Sequence, residues 1–453
     1  MMQVINPATG EAGRAYAVHT EEEVEARLGR AASASVAWRK TSFEQRRGLM
    51  RGVAGLLRER RDALAALMAE EMGKPVRAGR AEVEKCALVC EYYADRAEEL
   101  LAPRHVGTDA RLSMVRHDPL GPILAVMPWN FPLWQVFRFA APYLMAGDVG
   151  LLKHAANTPG CALAIEALFE DAGFASGVFQ ALLIESERVE HVIRDPRVAG
   201  VTLTGSVRAG RAVGRVAGDA LKPCVLELGG SDPFIVLEDA DVAQAARVAV
   251  SARLINGGQS CIAAKRFIIV DAVYDQFVEH FLREIDQVQM GDPLLESTDM
   301  GPMARVDLRE ELHKIVEETV AAGARLVRGG RVPAGPGAFY PPTVLLDVTA
   351  SMAAAREETF GPVAPILRVA DVEEAIALAN GTEFGLGASL WTRDMGRALE
   401  LVPRIEAGHV AVNGMVKSDP RLPFGGVRDS GFGRELGPEG ILAFVNTKSV
   451  WIG

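Results

Sequence analysis

Apolar residues in the first hundred positions recur at helical spacing, and beyond residue 122 they gather into short runs. Thr20-Glu-Glu-Glu23 has the form of a capping box. The Thr hydroxyl can accept an N–H of the first helical turn, and the Glu can return to the Thr N–H. Val24, Leu28, Ala31, Ala32 and Ser35 follow on one face. Ser42-Phe-Glu-Gln45 repeats the device ahead of Leu49, Met50, Val53, Leu56 and Leu57. Gly73-Lys-Pro75 ends a helical stretch near Met72, and a further helix is predicted over 78–101 with Val83, Ala87, Cys90 and Ala94 inward.

From Pro122 strands and helices alternate. Strands are predicted at 123–127, 149–153, 178–183, 198–204 and 223–228, with helices at 132–145, 159–172 and 207–217. A second set follows: strand 233–237, helix 240–254, strand 266–270, then helices near 272–287 and 304–322. This alternation implies βαβ units and parallel sheets, hence an α/β fold. The Gly- and Pro-rich stretch 330–337 reads as a loop. Pro119 to Phe137 carries no charge and is long enough to span a bilayer, but four prolines within it break any helix there. No membrane span is expected.

Composition narrows the classes. With 49 basic and 59 acidic side chains in 453 residues the net charge is −10, which disfavours a surface for nucleic acid or anionic membranes. Five cysteines make no disulfide framework and point to a reducing compartment. The first residues lack the basic and apolar regions of a signal peptide, so a cytoplasmic location is expected. The eight histidines are scattered and no metal-ligand spacing occurs, so no metal is expected.

Four segments can carry chemistry. Cys261 closes Asn256-Gly-Gly-Gln-Ser-Cys261, a Gly-rich turn that can present a thiol to a ligand; the alternative is a structural cysteine in a loop. Glu227, in Leu226-Glu-Leu-Gly-Gly230, ends an apolar strand, where partial burial would raise its pKa toward that of a general base. In Pro128-Trp-Asn-Phe-Pro132, prolines on both sides restrain Asn130, whose amide could donate to an oxyanion. Gly205-Ser206 lies between a strand and a helix, either a phosphate-binding helix start or a plain turn. Arg211 stands where a nucleotide-triphosphate loop requires Lys.

Taken in order with Lys153, with Glu358-Thr-Phe-Gly-Pro362 and with Pro423-Phe-Gly-Gly426, these segments resemble the NAD(P)-dependent aldehyde dehydrogenase superfamily along the whole chain, from Ile5-Asn-Pro-Ala-Thr-Gly10 to Gly433-Arg434. Lys153-His-Ala-Ala-Asn157, Gly205-Ser-Val-Arg-Ala-Gly210 and Leu228-Gly-Gly-Ser-Asp-Pro-Phe-Ile-Val236 are most similar to bacterial succinate-semialdehyde dehydrogenases. The resemblance implies a Rossmann-like NAD(P)-binding domain over 1–105 and 121–228 and an α/β catalytic domain over 229–435. It also implies a β oligomerisation arm from 106–120 and 436–453, with the apolar Val450-Trp-Ile452 tail facing a partner. A homodimer or homotetramer is expected.

By the same resemblance, Cys261 attacks the aldehyde, Asn130 and the Cys261 N–H hold the oxyanion, and Glu227 activates water against the resulting thioester. NAD or NADP would lie against Trp129, Lys153, Ala156, Gly205, Ser206, Glu358 and Phe360. Ala156 stands where many NAD-specific relatives carry Glu, so a 2′-phosphate should be tolerated. Arg138 and Ser418 resemble contacts to a substrate carboxylate; Ile255 stands where some relatives carry a further Arg. Ala263 replaces the second cysteine of relatives with a redox switch. Succinate semialdehyde is the expected substrate. Glutarate semialdehyde or a hydroxyaldehyde, a catalytically silent binding protein, and a thiol hydrolase are the competing readings.

Overall fold

The computed structural model describes residues 1–453. The capping boxes form at Thr20 and Ser42, each with both reciprocal hydrogen bonds, and open helices Glu21–Trp38 and Phe43–Glu59. The next helix ends at Met72 with Gly73 in the left-handed region at φ 78°, the conformation a helix terminus assigns to glycine. A long helix, α1 (Val76–Leu100), follows and buries Val83, Ala87, Cys90 and Ala94.

Five parallel strands form the first sheet: β1 (Pro122–Met127), β2 (Val149–His154), β3 (Phe179–Ala181), β4 (Gly200–Thr204) and β5 (Cys224–Glu227), in the spatial order β5-β4-β1-β2-β3. Helix α2 (Trp134–Ala146) follows β1 and helix α3 (Val207–Asp219) follows β4. The uncharged stretch predicted not to span a membrane is therefore a buried strand, a turn and the start of α2. No helix of the chain is long and apolar enough to cross a membrane.

The second sheet contains β6 (Pro233–Val236), β7 (Arg266–Val270), β8 (Arg325–Arg328), β9 (Thr343–Leu346), β10 (Val363–Val369), β11 (Gly387–Trp391) and β12 (His409–Val412), ordered β8-β9-β10-β7-β6-β11-β12. All its pairings are parallel except β8 with β9. Helix α4 (Val242–Leu254) joins β6 to the turn that carries Cys261.

The chain then returns to the first sheet. Gly431–Phe432 pairs antiparallel with β5, and Phe424, Leu436, Ile441 and Phe444 enter the same hydrophobic core as the N-terminal helices. The strand Val445–Ile452 pairs along its whole length with Leu112–Pro119, leaving Trp451 61% exposed. The site thus lies where the C-terminal ends of β1, β2, β4 and β5 meet the turn after α4, the edge at which open parallel sheets bind ligands.

Candidate active site

Cys261 sits on a backbone with little freedom. Asn256, Gly257 and Gly258 have φ of 54°, 63° and 78°, three consecutive residues in the left-handed region. A Cβ on Gly258 would stand 2.3 Å from the Gly361 carbonyl oxygen, so the turn needs glycine there on both counts. Two buried cations hold its carbonyls. Arg253 donates to the Gly258 oxygen at 2.8 Å, and Lys265 Nζ donates to the oxygens of Ser260 at 2.9 Å and Cys261 at 2.7 Å. Lys265 also pairs with Glu358 at 3.3 Å. Glu358 in turn accepts from the Gly230 N–H at 3.0 Å, and a Cβ on Gly229 would collide with its carboxylate. The two glycines of the Glu227 motif let the Cys261 turn and Glu358 approach that closely.

Asn130 is 4% exposed and donates through Nδ2 to the Gln259 oxygen at 3.1 Å, while its own carbonyl accepts from Asn256 Nδ2 at 2.7 Å. One of its amide hydrogens is thereby used and the other is free. The Cys261 N–H has no acceptor in the protein. Two donors therefore remain unspent, one on Cys261 itself and one bonded to the same turn through Gln259. Burial pushes the Cys261 thiol up to about 12, against the opposing charges of Arg138 and Lys265.

Glu227 closes β5 with 2% exposure and neither carboxylate oxygen hydrogen-bonded. Burial holds its pKa well above the usual carboxylate range; the Arg138 charge lowers it and Glu435 raises it again. This is the electrostatic setting of a general base.

Arg138 departs from expectation. Its guanidinium was expected to be offered to a substrate carboxylate, but the fold supplies a carboxylate of its own. Nε pairs with Glu435, Nη2 lies 3.3 Å from Thr204 Oγ1, and the group sits 4.6 Å from the Phe424 ring centre. Both partners are buried, so the charge of Arg138 is largely met within the protein.

Arg138, Ser418 and Cys261 nevertheless line one cavity of about 250 Å³, together with Lys85, Trp134 and Ile255 among others. Lys85 was missed by sequence reasoning. Its Nζ donates to Ser418 Oγ at 2.7 Å and lies 4.0 Å from the Trp134 ring centre. The floor is fixed by the buried pair Lys74–Glu82; Glu82 accepts from the N–H groups of Leu133 and Trp134, both at 2.9 Å, and so caps α2. His154 was also missed. Its Nε2 meets the Pro132 oxygen at 2.8 Å and Nδ1 accepts from the Ala155 N–H, which ties the end of β2 to the Asn130 turn.

The residues expected to hold a dinucleotide are gathered at the same sheet edge. Lys153, next to last in β2, is 7% exposed, has no ion pair, and has its pKa lowered by burial. Ala156 is exposed just beyond it. Gly205 donates to the Glu227 oxygen at 2.9 Å, and Ser206 is the N-cap of α3, its hydroxyl accepting from the Ala209 N–H at 3.3 Å. The rings of Trp129 and Phe360 meet edge to face at 5.8 Å. An unpaired buried cation, a helix N-terminus and an aromatic pair suit an anionic, planar cofactor. No cluster of three His, Cys, Asp or Glu side chains is arranged to hold a metal ion.

Comparison with known proteins agrees with this geometry. The sequence profile described as "Aldehyde dehydrogenase family" matches residues 1–450. A Synechocystis protein named "Probable succinate-semialdehyde dehydrogenase", NADP(+) form, is 53% identical over 448 residues, covering 99% of each chain. The Mycobacterium avium succinate-semialdehyde dehydrogenase, also NADP(+) form, is 51% identical over 453 residues, covering 99% of this chain and 96% of its own. The crystal structure of succinic semialdehyde dehydrogenase from Streptococcus pyogenes in complex with NADP+ superposes with a TM-score of 0.97 at 37% identity, covering 99% of both chains.

Proposed function

The chain belongs to the aldehyde dehydrogenase family, and from that premise we propose that it oxidises succinate semialdehyde to succinate with NADP+. Relatives of that name share more than half its residues over full length. The observation that carries the reading is the cavity that opens on Cys261 and holds Lys85, Arg138 and Ser418, a thiol and a cationic, hydroxyl-bearing patch on an otherwise largely apolar wall. An aldehyde with a carboxylate tail needs both.

In this reading the Cys261 sulfur adds to the aldehyde carbon, the C=O π electrons move onto oxygen, and the thiol proton passes to water in the cavity. The free Asn130 N–H and the Cys261 N–H meet the new oxyanion, which stabilises the adduct where its charge appears. NADP+ supplies a hydride acceptor when bound, held by Lys153, Ser206, Glu358, Trp129 and Phe360. Loss of hydride from the adduct to that acceptor would leave a thioester on Cys261. Glu227, buried and without a hydrogen bond of its own, takes a proton from water that attacks the thioester, releasing succinate and the thiol. Ala156 brings no carboxylate to its position, so a 2′-phosphate would meet less repulsion there.

Initial rates followed at 340 nm test the reading. Succinate semialdehyde, glutarate semialdehyde, propanal and benzaldehyde are each assayed with NAD+ and NADP+. The highest kcat/KM is expected for succinate semialdehyde with NADP+. A flat profile, or one favouring benzaldehyde, would remove the substrate while leaving the family intact. The exposed strand Val445–Ile452 supports assembly through that edge, which light scattering would measure as a dimer or tetramer.

A further inference from the structure

The Cys261 cavity is lined by three cations, and they are not equivalent. Lys74 is spent on Glu82, a pair with side chains only 1% and 3% exposed. Arg138 is spent on Glu435, at 2% and 0%. Lys85 alone has no carboxylate within ion-pair distance; its one hydrogen-bond partner is the neutral Ser418 hydroxyl, at 2.7 Å. Lys85 is therefore the one cation of the lining without a paired carboxylate.

We propose that Lys85, held by Ser418 and the Trp134 ring, is the specificity-determining residue that receives the carboxylate of the aldehyde substrate. The proposal rests on the reading that this substrate carries a carboxylate, and it moves the charge of the subsite from α2 to α1. A carboxylate entering the cavity finds Arg138 already paired, so its attraction to that guanidinium is reduced by repulsion from Glu435. At Lys85 no such opposing charge is in contact, and the ammonium retains two hydrogens beyond the one given to Ser418. The Trp134 face orients the lysine stem and holds the ammonium without cancelling its charge. Ser418 Oγ accepts from Lys85, so its own hydrogen is free to donate to the second carboxylate oxygen. Burial and the Arg138 charge lower the Lys85 pKa to about 8, while Cys86, Glu82 and Asp419 act in the other direction. The cation is thus partly uncompensated, and a bound carboxylate would restore it.

The test compares Lys85→Met and Lys85→Arg with the unmodified enzyme on succinate semialdehyde and on butanal, which has the same carbon chain without the carboxylate. Lys85→Met should lower kcat/KM for succinate semialdehyde about ten- to hundredfold, the loss of one charge-assisted hydrogen bond. For butanal the fall should be under about threefold, and Lys85→Arg should restore most of the difference. Protection of Cys261 from iodoacetamide by succinate provides a second readout, present in the unmodified enzyme and lost in Lys85→Met. Equal losses on both aldehydes, or undiminished protection in Lys85→Met, would overturn the assignment while leaving the proposed substrate in place. An unmodified enzyme with no preference for any carboxylated aldehyde over butanal would overturn the substrate reading and the assignment together.

Discussion

Two buried lysines, one on each side of the cleft, are treated in opposite ways. Lys265, beside the Cys261 turn, is fully buried and gives its hydrogens to two carbonyls and a carboxylate. Lys153, at the end of β2, is nearly as buried and makes no hydrogen bond or ion pair, only the more distant charge of Glu187 opposing its desolvation. Desolvating a charge is costly unless it is paired. The first lysine recovers that cost within the fold. The second leaves it standing, and a ligand phosphate or hydroxyl can offset it. The contrast separates the parts of the cleft that must be rigid before substrate arrives from those that carry unspent affinity.

The rigid side should show the largest effects. Cys261→Ala is expected to reduce NADPH formation to background, with cofactor binding retained in a fluorescence titration; residual turnover above background would mean that another group is the nucleophile. In the unmodified, cofactor-free enzyme the thiol is favoured by burial, with its pKa near 12. Iodoacetamide labelling of Cys261 should therefore rise about tenfold per pH unit between pH 7 and 10, since only the thiolate attacks. A plateau below pH 9 would show that the resting thiol is more acidic than its surroundings imply.

Lys265→Met comes next. It strips the Ser260 and Cys261 carbonyls of a donor and leaves Glu358 without its cation. Glu358 is partly exposed and water can take up part of its charge, so the loss is set mainly by the two orphaned carbonyls, about 1–3 kcal/mol. Denaturant unfolding should show that loss, with activity falling alongside. A stable variant with normal turnover would mean that the left-handed turn at Asn256–Gly258 holds Cys261 without help.

Much of this was legible in the sequence because it is local. The capping boxes at Thr20 and Ser42 involve residues three apart, and both form. Glu227 and Lys153 could be placed at strand ends because apolar runs bounded by glycine or polar residues mark where strands stop. The strands after residue 322 were not read, although β9, β10 and β11 are as apolar as the earlier ones. β9 has only four residues, but β10 has seven and is followed by the helix Val372–Asn380 with Asp371 as its N-cap, a signal that the sequence carried. What joins distant segments was not legible at all. Glu435 reaches Arg138 because Gly431–Phe432 folds back onto β5, a pairing that no local pattern encodes. Lys85 reads as one more polar position on an amphipathic helix until Trp134 and Ser418 are packed against it.

The unspent side predicts smaller and more selective effects. Lys153→Met removes a buried cation that nothing in the protein pairs, so stability should hold or rise, the reverse of Lys265→Met. The KM for NADP+ should increase about ten- to hundredfold, the loss of one or two charge-assisted hydrogen bonds, while KM for the aldehyde moves little. A destabilised Lys153→Met would dissolve the contrast, because it would show that Lys153 has a structural partner after all.

The smallest expected effect sharpens the same comparison at a single exposed position. Ala156 lies three residues beyond Lys153, at the edge of the proposed phosphate subsite, and contributes no charge. Ala156→Glu would put a carboxylate there. Two unit charges near a protein surface interact by a few kcal/mol at about 4 Å, and salt and solvent reduce this further. A rise of about tenfold in KM for NADP+ is therefore expected. NAD+ has a 2′-hydroxyl at the same place, which can donate to the new carboxylate, so its KM should hold or fall. The ratio of kcat/KM for the two cofactors separates this from a general disturbance of β2, which would weaken both alike. An unchanged ratio would mean that the 2′-substituent lies away from residue 156, and that Lys153 acts on another part of the cofactor.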